Sequence, residues 1–292
     1  MLSKPHSIIL RALTKSFTFA FASTTVALMT ALPASADNQD LWNKSDSTSI
    51  TCKDFDAFST PEGVLTNNVW NKHAAEDDAW SQCLEKRRLG EQIQYGWSWS
   101  WPMNRRVIYS QPQIKIGASP WAPTPKFDNS FPLEIAELEK LTIEHSLEIN
   151  TNGDHNIATT LWLISEPYTG NSPKPSIIVA EIMIWTYATQ GHFSPAGKKQ
   201  AELRIGTGIW EVWYHQDWDD KSGVNENRWI NVTFRAKNDS KSATIPALKL
   251  LEHAIDSDFI SDDLYIADIE LGNEIMSGSG NAWVKKFTVD YQ

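Results

Sequence analysis

The sequence has few cysteines, and beyond its first 36 residues it has no hydrophobic run long enough to span a membrane. Its two cysteines, Cys52 and Cys83, lie far apart and have no histidine pair nearby, so they do not make a zinc site. We find no glycine-rich phosphate loop and no serine or cysteine nucleophile motif. We therefore predict no metal and no cofactor.

Basic residues are scarcer than acidic ones, with 26 Lys and Arg against 36 Asp and Glu and a net charge of −10. A chain this acidic should repel nucleic acid and anionic lipid. We therefore predict a neutral substrate, no nucleic-acid partner, no membrane association after removal of the leader, and a monomer.

Residues 1–36 have the pattern of a signal peptide. They contain no acidic residue, an apolar run over 17–31 and the sequence Ala34-Ser35-Ala36, which fits signal peptidase. We predict cleavage after Ala36 and secretion to an extracellular or periplasmic space, where a disulfide can persist. Residues 37–50 are polar and predict a short tail, and residues 51–292 predict a single catalytic domain.

Short apolar runs separated by turn residues predict an all-β domain. The predicted strands are 69–71, 95–101, 107–116, 141–149, 156–164, 177–187, 201–205, 209–214, 229–236, 264–271 and 282–291. Within this pattern, Leu248, Leu251 and Ile255 recur at helical spacing after Pro246. They predict one helix, over 247–255, packed on a sheet.

Glu181 lies where a charge is least expected, inside the apolar run 176–185. Side chains alternate along a strand, so Glu181, Met183 and Trp185 should share one face and the aliphatic residues between them the other. A carboxylate beside a thioether and an indole is typical of a cleft that binds an uncharged, flat-faced ligand. A structural ion pair is the alternative for Glu181.

A second carboxylate precedes the last predicted strand. Glu274 is followed by Gly278 and Gly280, which permit close approach of the backbone to a ligand. A solvated glutamate at the rim is the alternative. Asp268 and Glu270 compete with it, as does Glu211 in the aromatic run 209–214.

Three motifs, Glu181-Ile-Met-Ile-Trp185, Gly272-Asn-Glu274 and Asn67-Asn-Val-Trp70, resemble glycoside hydrolase family 12 over nearly the whole chain after the leader. The resemblance implies a β-jelly-roll of two stacked, curved antiparallel sheets, with a substrate groove on the concave face. It also implies a retaining endo-β-1,4-glucanase acting on cellulose-type, mixed-linkage or xyloglucan chains. The 14 tryptophans agree with a polysaccharide partner, because sugar rings pack on aromatic planes.

The same resemblance assigns roles to individual residues. Glu181 matches the nucleophile, Glu274 matches the general acid/base, and Cys52 and Cys83 match a disulfide. Five further residues match positions that line or overhang the groove: Asn68, Trp70, Met183, Trp185 and Pro195.

One departure from the family pattern is Thr160, which stands where members usually carry an aspartate that hydrogen-bonds near the nucleophile. A neutral hydroxyl cannot raise a neighbouring pKa by charge repulsion, so a shifted pH profile or a changed specificity is expected. Two other functions remain open: a non-catalytic, lectin-like carbohydrate-binding jelly-roll, and a related jelly-roll xylanase.

Overall fold

The computed structural model describes residues 47–104, 106–121, 125, 127–168, 170, 172–219 and 227–292. Within them, sixteen strands form two sheets, and one α-helix and three short 3₁₀ turns join them. The fold is the predicted all-β jelly-roll sandwich. The predicted signal peptide lies outside the described residues. No helix in this part of the chain has the length and apolar character needed to cross a membrane.

The smaller sheet has six strands in the order β1-β4-β5-β16-β8-β14. These strands are β1 (Ser47–Thr51), β4 (Ser81–Leu89), β5 (Gln92–Trp101), β8 (Leu141–Thr151), β14 (Ser242–Ile245) and β16 (Gly278–Tyr291). Strand β1 includes the last four residues of the predicted polar tail, a correction to its boundary. β-Branched residues at 48, 50 and 51 favour this strand, and it pairs with β4.

The larger sheet carries the order β11-β12-β13-β10-β9-β15-β6-β3-β2, with β7 beside β15. Its strands are β2 (Ala57–Ser59), β3 (Val64–Thr66), β6 (Gln113–Gly117), β7 (Leu133–Glu134), β9 (Asn156–Ile164), β10 (Ile178–Ala188), β11 (Lys198–Ile205), β12 (Gly208–Trp218), β13 (Trp229–Ala236) and β15 (Tyr265–Gly272). All described pairs are antiparallel except β10 with β13, which run parallel. That parallel pair was not predicted.

The core lies between the two sheets and confirms the alternation predicted for β10. Ala180, Ile182 and Ile184 are buried in the main hydrophobic cluster, so Glu181 and its two alternate neighbours face the other way. The helix α1 (Ala247–Asp256) agrees with the prediction to within one residue. Its buried stripe consists of Ala247, Leu250, Leu251 and Ala254.

Two predicted strands differ from the structure. Residues 69–71 lead into the 3₁₀ helix Lys72–Ala75 because backbone groups close a turn here: the N–H of Lys72 donates to the Val69 carbonyl at 3.2 Å, and the N–H of Ala74 donates to the Asn71 carbonyl at 3.1 Å. The Asn71 side chain also donates to the Ile108 carbonyl at 2.8 Å, which holds the turn in place. The strand predicted over 107–116 begins only at Gln113. Pro112 precedes it and has no N–H to give to a ladder.

The loop that carries Asn68 and Trp70 is fixed to the smaller sheet by buried polar contacts. Asn67 and Gln82 exchange hydrogen bonds, the amide of Gln82 donating to Asn67 Oδ1 at 2.9 Å and the amide of Asn67 donating to the Gln82 carbonyl at 3.2 Å. Cys52 and Cys83 form the predicted disulfide beside this contact. The loop therefore presents its side chains from a rigid base.

Candidate active site

A cleft of about 870 Å³ lies on the face of the larger sheet that points away from the main core. Side chains from β3, β6, β9, β10, β12, β13 and β15 line it, together with residues of the connecting loops. Most of them are aromatic or uncharged polar groups. Such a surface suits a neutral ligand with flat faces and hydroxyl groups.

Glu181 lies at the floor of this cleft and is 7% exposed. Its Oε2 accepts two hydrogen bonds from β13, from Trp229 Nε1 and from Asn231 Nδ2, each at 2.9 Å. An indole N–H can only donate, so this carboxylate oxygen is held as an acceptor. Both donors are uncharged, and they orient Glu181 without neutralising it. This favours a functional carboxylate over the alternative of a structural ion pair.

Glu274 follows β15 and is 8% exposed in the same cleft. Its backbone N–H donates to Asn156 Oδ1 at 2.8 Å, and the amide of Asn156 donates back to Glu274 Oε2. Burial, and then the negative charge of Glu181, raise the pKa of Glu274 to about 8, against the hydrogen bond from Asn156, which lowers it. Near neutral pH, Glu274 therefore carries a proton beside Glu181.

The other residues predicted for the groove lie around this pair. Met183 and Trp185 follow Glu181 on the same face of β10 and are 5% and 4% exposed, and Asn68 and Trp70 are half-buried on the opposite side of the cleft. Pro195 is buried and is not among the residues that line the cleft, although its neighbours at 193, 194 and 196 are.

The competing acidic residues have different surroundings. Glu211 lies on β12, outside the cleft lining, and pairs with Lys199 at 2.6 Å. Glu270 does line the cleft, but its Oε1 is 3.7 Å from Lys115 Nζ and its Oε2 accepts from Trp162 Nε1 at 3.3 Å. Glu270 is thus engaged in an ion pair, and Glu274, whose pKa is raised to about 8, remains the better candidate acid.

Asp268 is fully buried next to Glu270. Burial, followed by the charge of Glu270, raises the pKa of Asp268 well above its usual value, and Lys115 opposes this effect. Asp268 is not among the residues that line the cleft. It shares with Glu270 the face of β15 opposite to the core residues Ile269 and Leu271.

Thr160 lies on β9, between β10, which carries Glu181, and β15, which Glu274 follows. It is opposite Met183 on one side and Glu270 on the other, and its Oγ1 accepts from Gln111 Nε2 at 3.4 Å. The carboxylate expected from the family pattern at this position is absent. The residue directly across from Thr160 on β15, Glu270, does carry a carboxylate.

Several cleft residues were not predicted from the sequence. The donors to the two glutamates are Trp229, Asn231 and Asn156, and five further aromatic residues line the cleft, Phe55, Trp121, Trp162, Phe193 and Trp218. Alternation along β13 placed Trp229 and Asn231 on one face, which was a usable signal. Their proximity to Glu181 depends on a strand register that the sequence does not reveal.

Comparisons with known proteins agree with the fold and the cleft. Endoglucanase S of Pectobacterium parmentieri is 24% identical over 237 residues, which cover 80% of this chain and 83% of that protein. A native family 12 xyloglucanase from Bacillus licheniformis superposes with a TM-score of 0.70 at 24% identity, covering 84% of this chain and 100% of that one. The endoglucanase Cel12A from Rhodothermus marinus superposes with a TM-score of 0.66 at 23% identity, covering 83% of this chain and 98% of that one.

The family comparison covers almost the whole chain that follows the predicted leader. The model of Glycosyl hydrolase family 12 matches residues 34–292, which include both glutamates and every strand described above. The chain belongs to glycosyl hydrolase family 12.

Proposed function

We propose that this protein is a secreted, retaining endo-β-1,4-glucanase that hydrolyses internal bonds of cellulose-type, mixed-linkage or xyloglucan chains. The observation that carries the proposal is the pair of buried glutamates in one cleft, of which Glu274 has a pKa raised to about 8 by burial and by the charge of Glu181. Glycoside hydrolysis needs one carboxylic acid and one carboxylate at the same pH. This pair supplies both near neutrality.

In the first step, Glu274 gives its proton to the glycosidic oxygen as the bond between that oxygen and the anomeric carbon breaks. Glu181 attacks the same carbon, and a covalent glycosyl-enzyme forms. Trp229 and Asn231 both donate to Oε2 of Glu181, and these two bonds fix the orientation of the attacking carboxylate. The chain beyond the broken bond leaves with the transferred proton.

The second step reverses the role of Glu274. Once Glu181 is esterified it carries no charge, so one of the two causes that raise the pKa of Glu274 is removed. Glu274 can then accept a proton from water, whose oxygen attacks the anomeric carbon and releases Glu181. Two displacements at one carbon restore its configuration, and for this reason we propose retention.

The cleft supports a polysaccharide as the substrate. Aromatic side chains flank the glutamates on both sides, with Trp70 and Phe55 towards β3 and Trp218 and Trp229 on β12 and β13. Trp162 lines the cleft from β9, the strand between β10 and β15. Sugar faces can pack on such rings while hydroxyl groups reach the polar side chains between them. The named relatives include both endoglucanases and a xyloglucanase, so we propose the wider class of β-1,4-glucans.

We also propose export. The sequence of residues 1–36, which lie outside the described residues, fits a cleavable leader. Amino-terminal sequencing of protein collected outside the producing cell should begin at Asp37. An intact first residue, Met1, would contradict this part of the proposal.

The hydrolysis itself is tested with the mature protein on barley β-glucan, carboxymethylcellulose, xyloglucan and xylan. We expect new reducing ends from at least one glucan, a fall in viscosity that precedes their full release, and products with the β configuration by ¹H NMR. Cleavage of xylan alone would favour the xylanase alternative. Affinity for a glucan without any cleavage would favour the lectin-like alternative.

A further inference from the structure

A buried ion pair lies in the floor of the cleft, away from the two catalytic glutamates. Lys115 on β6 and Glu270 on β15 are partners in register, with Nζ 3.7 Å from Oε1, and their side chains are only 3% and 5% exposed. Both residues line the cleft. Burying an ion pair costs desolvation energy and is weak evidence of a stabilising role. Its position facing the cleft indicates a role in binding.

Two unsatisfied polar atoms lie beside this pair. Thr66 on β3 and Gln113 on β6 are also partners in register, line the cleft and are 5% and 2% exposed. Thr66 Oγ1 and Gln113 Oε1 are buried, and neither has a hydrogen-bond partner among the described residues. A buried polar atom without a partner is costly, so in a cleft it indicates that a ligand supplies the missing bond.

These four side chains form one continuous patch on three neighbouring strands. Gln113 and Lys115 are two residues apart and share a face of β6, which separates the two pairs by about 7 Å. We call the patch the hydroxyl subsite, and its members are Thr66, Gln113, Lys115 and Glu270.

A glycine lies beside the hydroxyl subsite. Gly272 lies opposite Gln113, and a Cβ at Gly272 would come within 2.5 Å of the Pro112 carbonyl oxygen and 2.9 Å of Gln113 Cβ. Any side chain at position 272 would therefore displace Gln113. The glycine thus allows Gln113 to keep its place opposite Thr66.

The chemistry of the hydroxyl subsite matches a sugar ring. The gap of 3.7 Å between the Lys115 ammonium and the Glu270 carboxylate exceeds a hydrogen bond, so one hydroxyl group can accept from Lys115 and donate to Glu270. Gln113 Oε1 accepts, and the Thr66 hydroxyl does either. Adjacent hydroxyl groups on a pyranose ring offer donors and acceptors in the same pattern.

We propose that the hydroxyl subsite binds free, unsubstituted hydroxyl groups of one sugar unit of a neutral β-glucan, on the β3 side of Glu181 and Glu274. This inference rests on the proposed function and deepens it. It makes the ion pair a selector for unmodified sugar units, since an ether substituent cannot donate to Glu270. Trp162, which donates to the other oxygen of Glu270, keeps that carboxylate oriented.

The test compares steady-state kinetics of the mature protein with those of Thr66→Val and of the double variant Lys115→Met/Glu270→Gln on cello-oligosaccharides of increasing length. The double variant avoids leaving one buried charge unpaired. We expect KM to rise about tenfold in each variant while kcat changes by less than about twofold, because the lost bonds hold substrate and transition state equally. Thermal unfolding is measured on every variant.

Thr159→Val is the matched control. Thr159 Oγ1 is also buried and has no partner among the described residues, but Thr159 does not line the cleft, so its KM should equal that of the wild type. Unchanged KM in Thr66→Val and in the double variant, with or without a lower Tm, would overturn the inference alone. A wild-type protein that neither cleaves nor binds any glucan would overturn the inference and the proposed function together.

Discussion

Replacing Glu274 by glutamine is expected to lower kcat on a soluble β-glucan by about 10²- to 10⁴-fold, the usual contribution of general acid catalysis. Glutamine keeps the shape of the side chain but cannot protonate the leaving glycosidic oxygen. An aryl β-cellobioside with a weakly basic leaving group needs little protonation. With that substrate the first step should be far less impaired, and a burst of released phenol should be seen.

Glu181→Gln separates the two roles. Without the attacking carboxylate no glycosyl-enzyme can form, so activity should be lost on the β-glucan and on the aryl glycoside alike. Glu211→Gln is the control, because Glu211 is an ion-paired acid outside the cleft, and it should retain wild-type activity. Near-normal hydrolysis of β-glucan by either cleft variant would show that the roles are wrongly assigned.

The wild-type pH profile follows from the same pKa. The general acid must be protonated, and the pKa of Glu274 is raised to about 8, so kcat/KM on β-glucan should be sustained up to about pH 8. Above that pH it should fall about tenfold per unit. In Glu274→Gln this alkaline limb should disappear from the profile measured with the aryl glycoside.

Buried histidines are expected to make the protein lose stability in mild acid. Burial lowers the pKa of His145 from 6.5 to about 4, and it does the same for His155, where Lys241 adds to the effect while Asp154 and the Gly153 carbonyl oppose it. The unfolded chain binds these protons near pH 6.5 and the folded chain does so only near pH 4. The contribution of these neutral histidines to the stability of the fold is therefore fully present above pH 6.5 and is lost as the pH falls towards 4.

The size of the effect can be isolated with His145→Gln/His155→Gln. When the pH is lowered from 7 to 5, each histidine should reduce the free energy of unfolding of the wild type by about 2 kcal/mol relative to that of the variant. Glu274 and Asp268, whose pKa values are raised, act in the opposite direction, but they do so in both proteins. Urea unfolding at the two pH values measures this difference in the free energy of unfolding. If the difference between the two proteins is the same at pH 7 and pH 5, the histidines are not buried in their neutral form.

The sequence was sufficient to predict β10 and the face on which Glu181 lies, because the alternation of side chains along one strand is local. Ala180, Ile182 and Ile184 identify one face of β10 as core, and this leaves Glu181 on the other face without any knowledge of neighbouring strands. The helix was also predicted from the sequence, because its apolar residues recur at helical spacing. The jelly-roll and the disulfide followed from the resemblance of the motifs to a known family.

The contacts within the cleft could not be predicted, because they depend on which distant segments of the chain pair as neighbouring strands. Asn231 bonds to Glu181 across 50 positions, and Lys115 meets Glu270 only because β6 and β15 are neighbours in register. Strand β4 was missed for a different reason. Its residues Glu85-Lys-Arg-Arg88 are all charged and lack the apolar alternation of a strand, yet they pair with β5 along their full length.

The parallel pairing of β10 with β13 governs the order in which the site can assemble. Antiparallel neighbours can be joined by a short turn, but a parallel partner must return from the far end, and here the returning chain is the β11–β12 hairpin. The entropy of closing that long loop is lost before Trp229 and Asn231 can reach Glu181. A partly folded chain can thus carry Glu181 on a completed strand before the two side chains that orient its carboxylate are in place.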